Sequence, residues 1–249
     1  MKFAFIDSDR RLAERGLRGA CPGCGQEVLA KCGNRRIHHW AHIGIMVCDG
    51  FWEPETQWHR DWKDRFPAGW QEQRRVSSDG ELHIADVLTE AGVALEFQRS
   101  HISDEEKRCR EQFHRRIVWV ADGTRLKRDH SSFRRLLSSA PITLSKYLAF
   151  VLPRSGSPIL ERWSGGHTVY LDFGKEPCGI PGLPEDRLLW RLRYRGSDVV
   201  AMPVSYDSFV SHHRDLLPIE GFSVPISRVV RLTEFQRQLM SKARRRARF

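Results

Sequence analysis

ELHIADVLTEAGVALEFQRS, residues 81–100, decides how this chain is read. Two apolar runs flank a short segment containing Gly92, and each run carries one acid, Asp86 and Glu96. Runs of this length broken by a glycine predict a β-hairpin. With Glu90-Ala91-Gly92 as a three-residue loop and Gly92 in the left-handed conformation, Thr89 pairs with Val93. Counting back sets Asp86 opposite Glu96 on one sheet face, with Cβ atoms about 5 Å apart. Two carboxylates that close repel unless a proton or a cation lies between them. Mg²⁺ meets that demand, since it takes hard oxygen ligands from one or two carboxylates plus substrate phosphate. Gln98 falls on the same predicted face, two residues beyond Glu96. A two- or four-residue loop would put the acids on opposite faces. The structural alternative for either acid is a solvated strand edge or an ion pair with one of the many arginines.

The flanking segments extend the hairpin into a domain. After Pro54, the stretch TQWHRDWKDRF repeats Trp58, Trp62 and Phe66 four residues apart, as a buried helix face requires, and Glu55, His59 and Lys63 form an adjacent stripe. WQEQRRVSS predicts a strand before the hairpin. Ser103 with Glu106 predicts a capping box that opens a helix through about Arg116, and IVWVAD follows as a buried strand. Residues 51–125 therefore read as α-β-β-β-α-β. Residues 1–50, rich in Gly, Cys and His, read as a small metal-organised module. Residues 126–145 read as a linker or short helix. Residues 146–249 read as an α+β domain with strand-like HTVYLDFG, LLWRLRYRG and VVAMPVSY and a basic tail, FQRQLMSKARRRARF.

Four of six cysteines lie between Cys21 and Cys48, beside several histidines. Cys21-Pro22-Gly23-Cys24 has metal-knuckle spacing, and His39-Trp40-Ala41-His42 offers two further ligands after a gap of fourteen residues. Cys32, His38 and Cys48 compete for the same role. Four protein ligands would make the Zn²⁺ structural, with no open position for water. The alternative is a set of reduced, partly buried thiols, with HHWAH contacting DNA or packing on the next domain. Cys109 and Cys178 stand alone and read as small core residues.

An excess of 41 Lys+Arg over 31 Asp+Glu leaves +10, which favours polyanionic partners such as nucleic acid. No apolar run is long enough for a membrane span, and the opening MKFAFIDSDRRLAERG is broken by charge after five residues, unlike a secretory signal. A cytoplasmic location is the expectation. Trp52, Trp58, Trp62 and Trp70 read as core before base-stacking platforms. Arg74-Arg75, Arg115-Arg116 and Arg244-Arg245-Arg246 are candidate phosphate contacts, and His212-His213 completes no recognisable site.

CPGC followed by HHWAH, then ETQWHRDWK, IADVL and EFQRSHIS, in that order over roughly residues 20–121, resembles the competence protein CoiA-like branch of the PD-(D/E)xK nuclease superfamily. The resemblance implies a restriction-endonuclease-like αβββαβ core after a zinc-ribbon-like module, and the C-terminal α+β accessory domain lies beyond it. It implies Mg²⁺ or Mn²⁺ held by Asp86, Glu96 and the carbonyl of Phe97, with Glu55 and His59 lining the site. Gln98 replaces the superfamily's usual lysine. Gln orients only by hydrogen bonds, so the charge that lysine supplies is missing at that position. Lys63 has two readings, as the replacement charge or as a surface residue at the end of the helix. The function implied is DNA phosphodiester hydrolysis in competence-like processing, recombination or defence; residues 146–249 fall outside the resemblance and are read separately as a candidate dimer or partner interface. The alternatives are a catalytically silent zinc-containing DNA-binding adaptor and a hydrolase of small phosphate compounds, the last leaving the +10 charge unexplained.

Overall fold

Residues 81–100 form the expected hairpin in the computed structural model, which describes residues 1–44, 55–78, 80–144 and 146–223. Pro54, Cys48, Trp52 and the basic tail with Arg244–Arg246 lie outside the described residues. The fold is mixed α/β, and it divides into two compact units, the first Met1–Ile117 and the second from Val118 onward. Among the described residues no helix is long and apolar enough to cross a membrane.

The first unit opens with a ribbon of five short strands, β1 (Phe3–Ile6), β2 (Asp9–Leu12), β3 (Arg18–Ala20), β4 (Glu27–Lys31) and β5 (His39–His42). They lie antiparallel in the order β2-β1-β3-β4-β5. A small core of Ala4, Ala13, Cys21, Val28, Ala30 and Trp40 holds them. The chain then runs α1 (Gln57–Lys63), β6 (Gln71–Val76), β7 (Leu82–Leu88), β8 (Ala94–Gln98), α2 (Asp104–His114) and β9 (Ile117–Asp122), the element order predicted from sequence. β6, β7 and β8 form an antiparallel meander. Thr56, two residues after Pro54, caps α1: its side chain accepts from the His59 N–H, and the His59 ring returns a bond to the Thr56 N–H. The Ser103 hydroxyl accepts from the Glu106 N–H (3.0 Å) and starts α2, with three acids in its first turn to match the helix dipole.

The hairpin loop is the three-residue one. The Thr89 N–H donates to the Val93 carbonyl (3.0 Å), and the Gly92 N–H donates to the Thr89 carbonyl (2.8 Å). Gly92 has φ of 73°. Val87 pairs with Leu95 and Leu88 with Ala94, the register that extrapolates to Asp86 opposite Glu96. The side chains do not follow that extrapolation. Phe97 lies among the α1 aromatics, stacked on Trp62 at 5.6 Å and near Trp58 and Phe66, whereas Glu96 turns to Arg110 of α2. Asp86 shares the α1 side with Phe97 and accepts its N–H (2.9 Å). The β7–β8 ladder stops at Val87↔Leu95, and beyond it the side chains of Glu96 and Phe97 depart from its alternation. The expectation that Asp86 and Glu96 share one face is thereby corrected.

The second unit has the strand order β10-β11-β14-β13-β12-β9. Its elements after β9 are α3 (Lys127–Ser139), β10 (Ile142–Leu144), β11 (Leu148–Pro153), α4 (Pro158–Arg162), β12 (Thr168–Asp172), β13 (Leu188–Arg195), β14 (Asp198–Ser205) and α5 (Tyr206–Asp215). β9 lies parallel to β12 from Val118↔Thr168 to Asp122↔Asp172, and so groups with this unit although its sequence continues the segment 51–125. Residues 127–139, read as a linker or short helix, form a full helix that buries Phe133 and Leu137. Phe133 packs edge-on against Trp190 (5.3 Å). His213 is buried against Phe209, so the His212-His213 pair of α5 is structural on that side.

Gly92 has open space where a Cβ would go, so a side chain there is opposed by the backbone conformation and not by a clash. Gly92→Val is expected to lower stability by about 1–2 kcal/mol. In urea unfolding the midpoint would fall with an unchanged slope; an unshifted midpoint would show that the loop is built differently.

Candidate metal centre and acid site

Cys21 and Cys24 occupy a tight turn after β3. The Gly25 N–H donates to the Cys21 carbonyl (2.9 Å), the Gly23 N–H lies 3.3 Å from the Cys21 Sγ, and Gly25 takes φ of 75°. β5 brings His42 to this turn, with Nε2 3.3 Å from the Cys24 Sγ. The Cys21, Cys24 and His42 ligand atoms all lie within 4.8 Å of one another, a group that could hold a zinc ion. Partial burial lowers the His42 pKa and favours the neutral imidazole that binds metal. His39, expected as a fourth ligand, is not in the group. It is three residues from His42 on the same strand and so points the other way. Its Nδ1 bonds instead to the Ile37 carbonyl (2.8 Å). Cys32 packs against the ribbon core. Among the described residues the group has three members, and Cys48 lies outside them.

The second cluster gathers where α1 meets β6 and β7. Lys63, read alternatively as a surface residue, is 2% exposed. Its ammonium donates to Glu55 Oε2 (2.8 Å) and Glu72 Oε1 (2.9 Å) and stands 3.9 Å from Asp86 Oδ1. Burial alone would lower its pKa; the three carboxylates overcome that and raise it. The Trp62 and Phe66 side of α1 packs on Phe97, which turns Lys63 inward. Residue 72 was not among the sequence candidates. The usable signal was register: Gln71 pairs with Val87 and Gln73 with Ala85, so Glu72 faces Asp86.

These acids differ in environment. Glu72 is engaged on both oxygens, since it also accepts the backbone N–H groups of Lys2 (2.7 Å) and Phe3 (3.1 Å). Burial opposes its charge, yet Lys63, the N-terminal ammonium and the Lys2 N–H hold its pKa at about 2. Asp86 keeps 25% of its side chain open, and its pKa is raised: desolvation outweighs Lys63, His59 and the Phe97 N–H. Glu55 Oε1 is buried without a hydrogen-bond partner among the described residues, with Arg60 Nε at 3.7 Å. His59 is the capping residue of α1 and lies close enough to Asp86 to act on its charge.

Glu96 and Gln98 sit elsewhere. Glu96 pairs with Arg110 (2.8 Å), itself held by Glu106 (3.0 Å), and has His114 at 3.9 Å. Gln98 donates to the Ser100 hydroxyl (3.1 Å). The backbone of Phe97 reaches Asp86 through its N–H. Of the expected residues, Glu55, His59, Lys63 and Asp86 converge, and Glu96 and Gln98 do not join them. Of the arginine pairs, Arg74 is exposed, Arg75 lies 3.4 Å from the His114 ring, and Arg116 donates to the Ala91 carbonyl.

Residues 12–51 match the family model "Competence protein CoiA, N-terminal domain", a range that covers the Cys21-Cys24-His42 group. The chain is also 30% identical over 147 residues to "Competence protein CoiA" of Bacillus subtilis (strain 168). Over these residues the chain is similar to CoiA proteins. The aligned part is 54% of this chain and 39% of that relative, so the chain spans well under half of the curated protein it matches. No solved structure matches it.

Two outcomes follow from this geometry. A carboxyl whose folded pKa is raised adds stability below its unfolded pKa and loses that contribution as pH rises through the folded value. Asp86→Asn is therefore expected to raise the thermal midpoint at pH 7, with the gain shrinking as pH falls toward the unfolded pKa of about 4 and absent below it. A midpoint that falls at pH 7 would mean that the Asp86–Lys63 attraction dominates. Cys24→Ser is expected to lose protein-bound zinc measured by elemental analysis; unchanged zinc would remove the Cys/His centre.

Proposed function

We propose that this CoiA-like chain is a metal-dependent nuclease that hydrolyses DNA, in competence-like processing, recombination or defence against foreign DNA. The observation that carries the reading is the partly open Asp86 beside buried Glu55 and Lys63. A carboxylate pushed up by desolvation, next to an unsatisfied carboxylate oxygen and a fixed ammonium, is costly to stability and typical of a reactive site. The +10 charge supports a polyanionic substrate. The name of the aligned relative supports competence as the setting.

Mg²⁺ or Mn²⁺ suits the oxygen donors at this corner, with Asp86 and Glu55 as the residues that would hold it; Glu72, with both oxygens engaged, would not. When bound, the ion supplies Lewis-acid polarisation of phosphate and acidifies water. The chain's own groups do the rest. Lys63 sets a permanent positive charge 3.9 Å from Asp86, where it stabilises negative charge developing on phosphate oxygens. That is the charge missing at Gln98. The Phe97 N–H fixes the orientation of Asp86, and the cap made by His59 and Thr56 fixes the start of the helix that carries Lys63. Glu96, held by Arg110 on the α2 side, steadies the hairpin from behind.

A second reading, a zinc-containing adaptor that binds DNA without cutting it, is favoured by the same Glu96–Arg110 pair and by the neutralisation of two acids by Lys63. Cleavage separates the two. The purified chain is expected to cut circular or linear DNA with Mg²⁺ or Mn²⁺ and not with EDTA, and Asp86→Ala to lose at least about 100-fold in rate while still shifting DNA in a gel. Retained binding without metal-dependent cutting would select the adaptor.

A further inference from the structure

We infer that Glu72 is a positioning residue through which the Cys/His ribbon governs the acid site, an inference that rests on the nuclease reading only for what the acid site does. Its carboxylate is where the two parts of the first unit meet. From the ribbon, the N–H groups of Lys2 and Phe3 reach Oε1 (2.7 Å) and Oε2 (3.1 Å); from the helix, the Lys63 ammonium reaches Oε1 (2.9 Å). Both oxygens of this buried carboxylate are engaged by three donors, which assigns Glu72 to holding Lys63 and not to touching a reacting group.

The ribbon end of this link is tied to the metal-binding turn. The Trp40 N–H donates to the Met1 carbonyl (2.9 Å), so Lys2 follows a residue locked to β5, the strand that delivers His42. Phe5 pairs with Ala20, the last residue of β3 before Cys21. The two donors on Glu72 are therefore set by the same two strands whose ends bear Cys21 and His42. Releasing the Cys/His group loosens β3 and β5 at those ends, and with them the placement of the Lys2 and Phe3 N–H groups. Glu72 then holds Lys63 less tightly against Glu55 and Asp86.

The backbone carries a second, independent sign. Glu72 has φ of 47°, a conformation that costs a side-chain-bearing residue free energy and persists only where surrounding contacts over-determine it. Its neighbours Gln71 and Gln73 keep their pairing with β7, so the distortion is confined to the residue that turns toward Lys63 and the ribbon. Docking does not hang on Glu72 alone. The Lys2 ammonium bonds to Asp64 and to Gln71 (2.7 Å), and Arg10 donates to the carbonyls of Ala68 (2.9 Å) and Gln71 (2.8 Å). Glu72→Gln, which keeps an acceptor oxygen and removes the charge, should therefore fold.

The test is a double-mutant cycle on the full chain with Cys24→Ser and Glu72→Gln, reading Mn²⁺ affinity by titration and the thermal midpoint. Asp86→Ala serves as the control for Mn²⁺ bound at the acid site. With Glu72 present, Cys24→Ser is expected to weaken Asp86-dependent Mn²⁺ binding about tenfold, as loss of an outer-shell partner does. In the Glu72→Gln background the same change should have no further effect. Additive effects would overturn the link. Wild-type chain stripped of zinc and freed of chelator replaces Cys24→Ser if that variant does not fold. If no Mn²⁺ binds to the unaltered chain, the metal reading of the acid site fails. The link is then decided by amide exchange at Lys2 and Phe3: faster exchange in Glu72→Ala and in the zinc-stripped chain supports it, and unchanged exchange in either overturns it.

Discussion

A lysine ammonium buried at the junction of a helix and a sheet cannot be left unmatched, and much of the first unit is arranged to match Lys63. Stranding one member of a buried ion pair typically costs about 3–5 kcal/mol, a large share of a domain's total stability. Glu55 and Glu72 approach the ammonium from different elements, and Asp86 adds a third negative charge at longer range. Seven residues make α1 too short to be stable alone. It is held by its Thr56–His59 cap, by the Trp62–Phe97 stack and by this charge cluster. The cluster thus fixes the helix, and the helix fixes what can approach Asp86.

The parts that sequence made legible are those governed by local rules. Gly92 specifies a three-residue loop because it is the residue that accepts φ of 73° at low cost, and the loop sets the pairing of Val87 with Leu95. Ser103 starts α2 because its hydroxyl satisfies an N–H that the helix leaves open. Trp58, Trp62 and Phe66 converge on one phenyl ring because four-residue spacing on a helix makes a stripe. What failed was a rule carried past its domain. Strict alternation from Leu95 puts Glu96 beside Asp86, whereas its side chain turns to α2. A local departure from alternation leaves no composition signal, so the side taken by Glu96 became visible only through Arg110. The burial of Lys63 was illegible for a related reason: nothing local says that Glu72, from a different strand, will be there to receive it.

The same distinction applies in the ribbon. CPGC was legible because a two-residue spacer between thiols makes a metal-binding turn, and Cys21 and Cys24 are indeed brought together. The histidine pair was only half legible. Residues three apart on a strand face opposite ways, so His39 and His42 could both ligate one ion only if HHWAH were not a strand. Once its pairing with β4 is formed, from Lys31↔His39 to Val28↔His42, one of the two must turn away. Likewise α3 was read only as a linker or short helix because its first turn is basic and polar; its apolar residues, Phe133, Leu136 and Leu137, crowd its second half.

Neighbouring acids that share one lysine are held in opposite states of readiness. Glu72 gains from being charged, with every contact it makes favouring the anion, and its role ends there. Asp86 is held in place by the Phe97 N–H, partly open, and poorer at keeping its charge than an aspartate in water. A fold selected for stability alone would have closed this gap by turning Asp86 outward or by giving it a second donor, as it gave Glu72 three. Leaving one acid under-satisfied beside a fixed cation lowers stability locally and keeps a coordination position open toward solvent. On the α2 side Glu96 is paired with Arg110 through Oε2, whereas Asp86 on the α1 side keeps part of its side chain open to solvent.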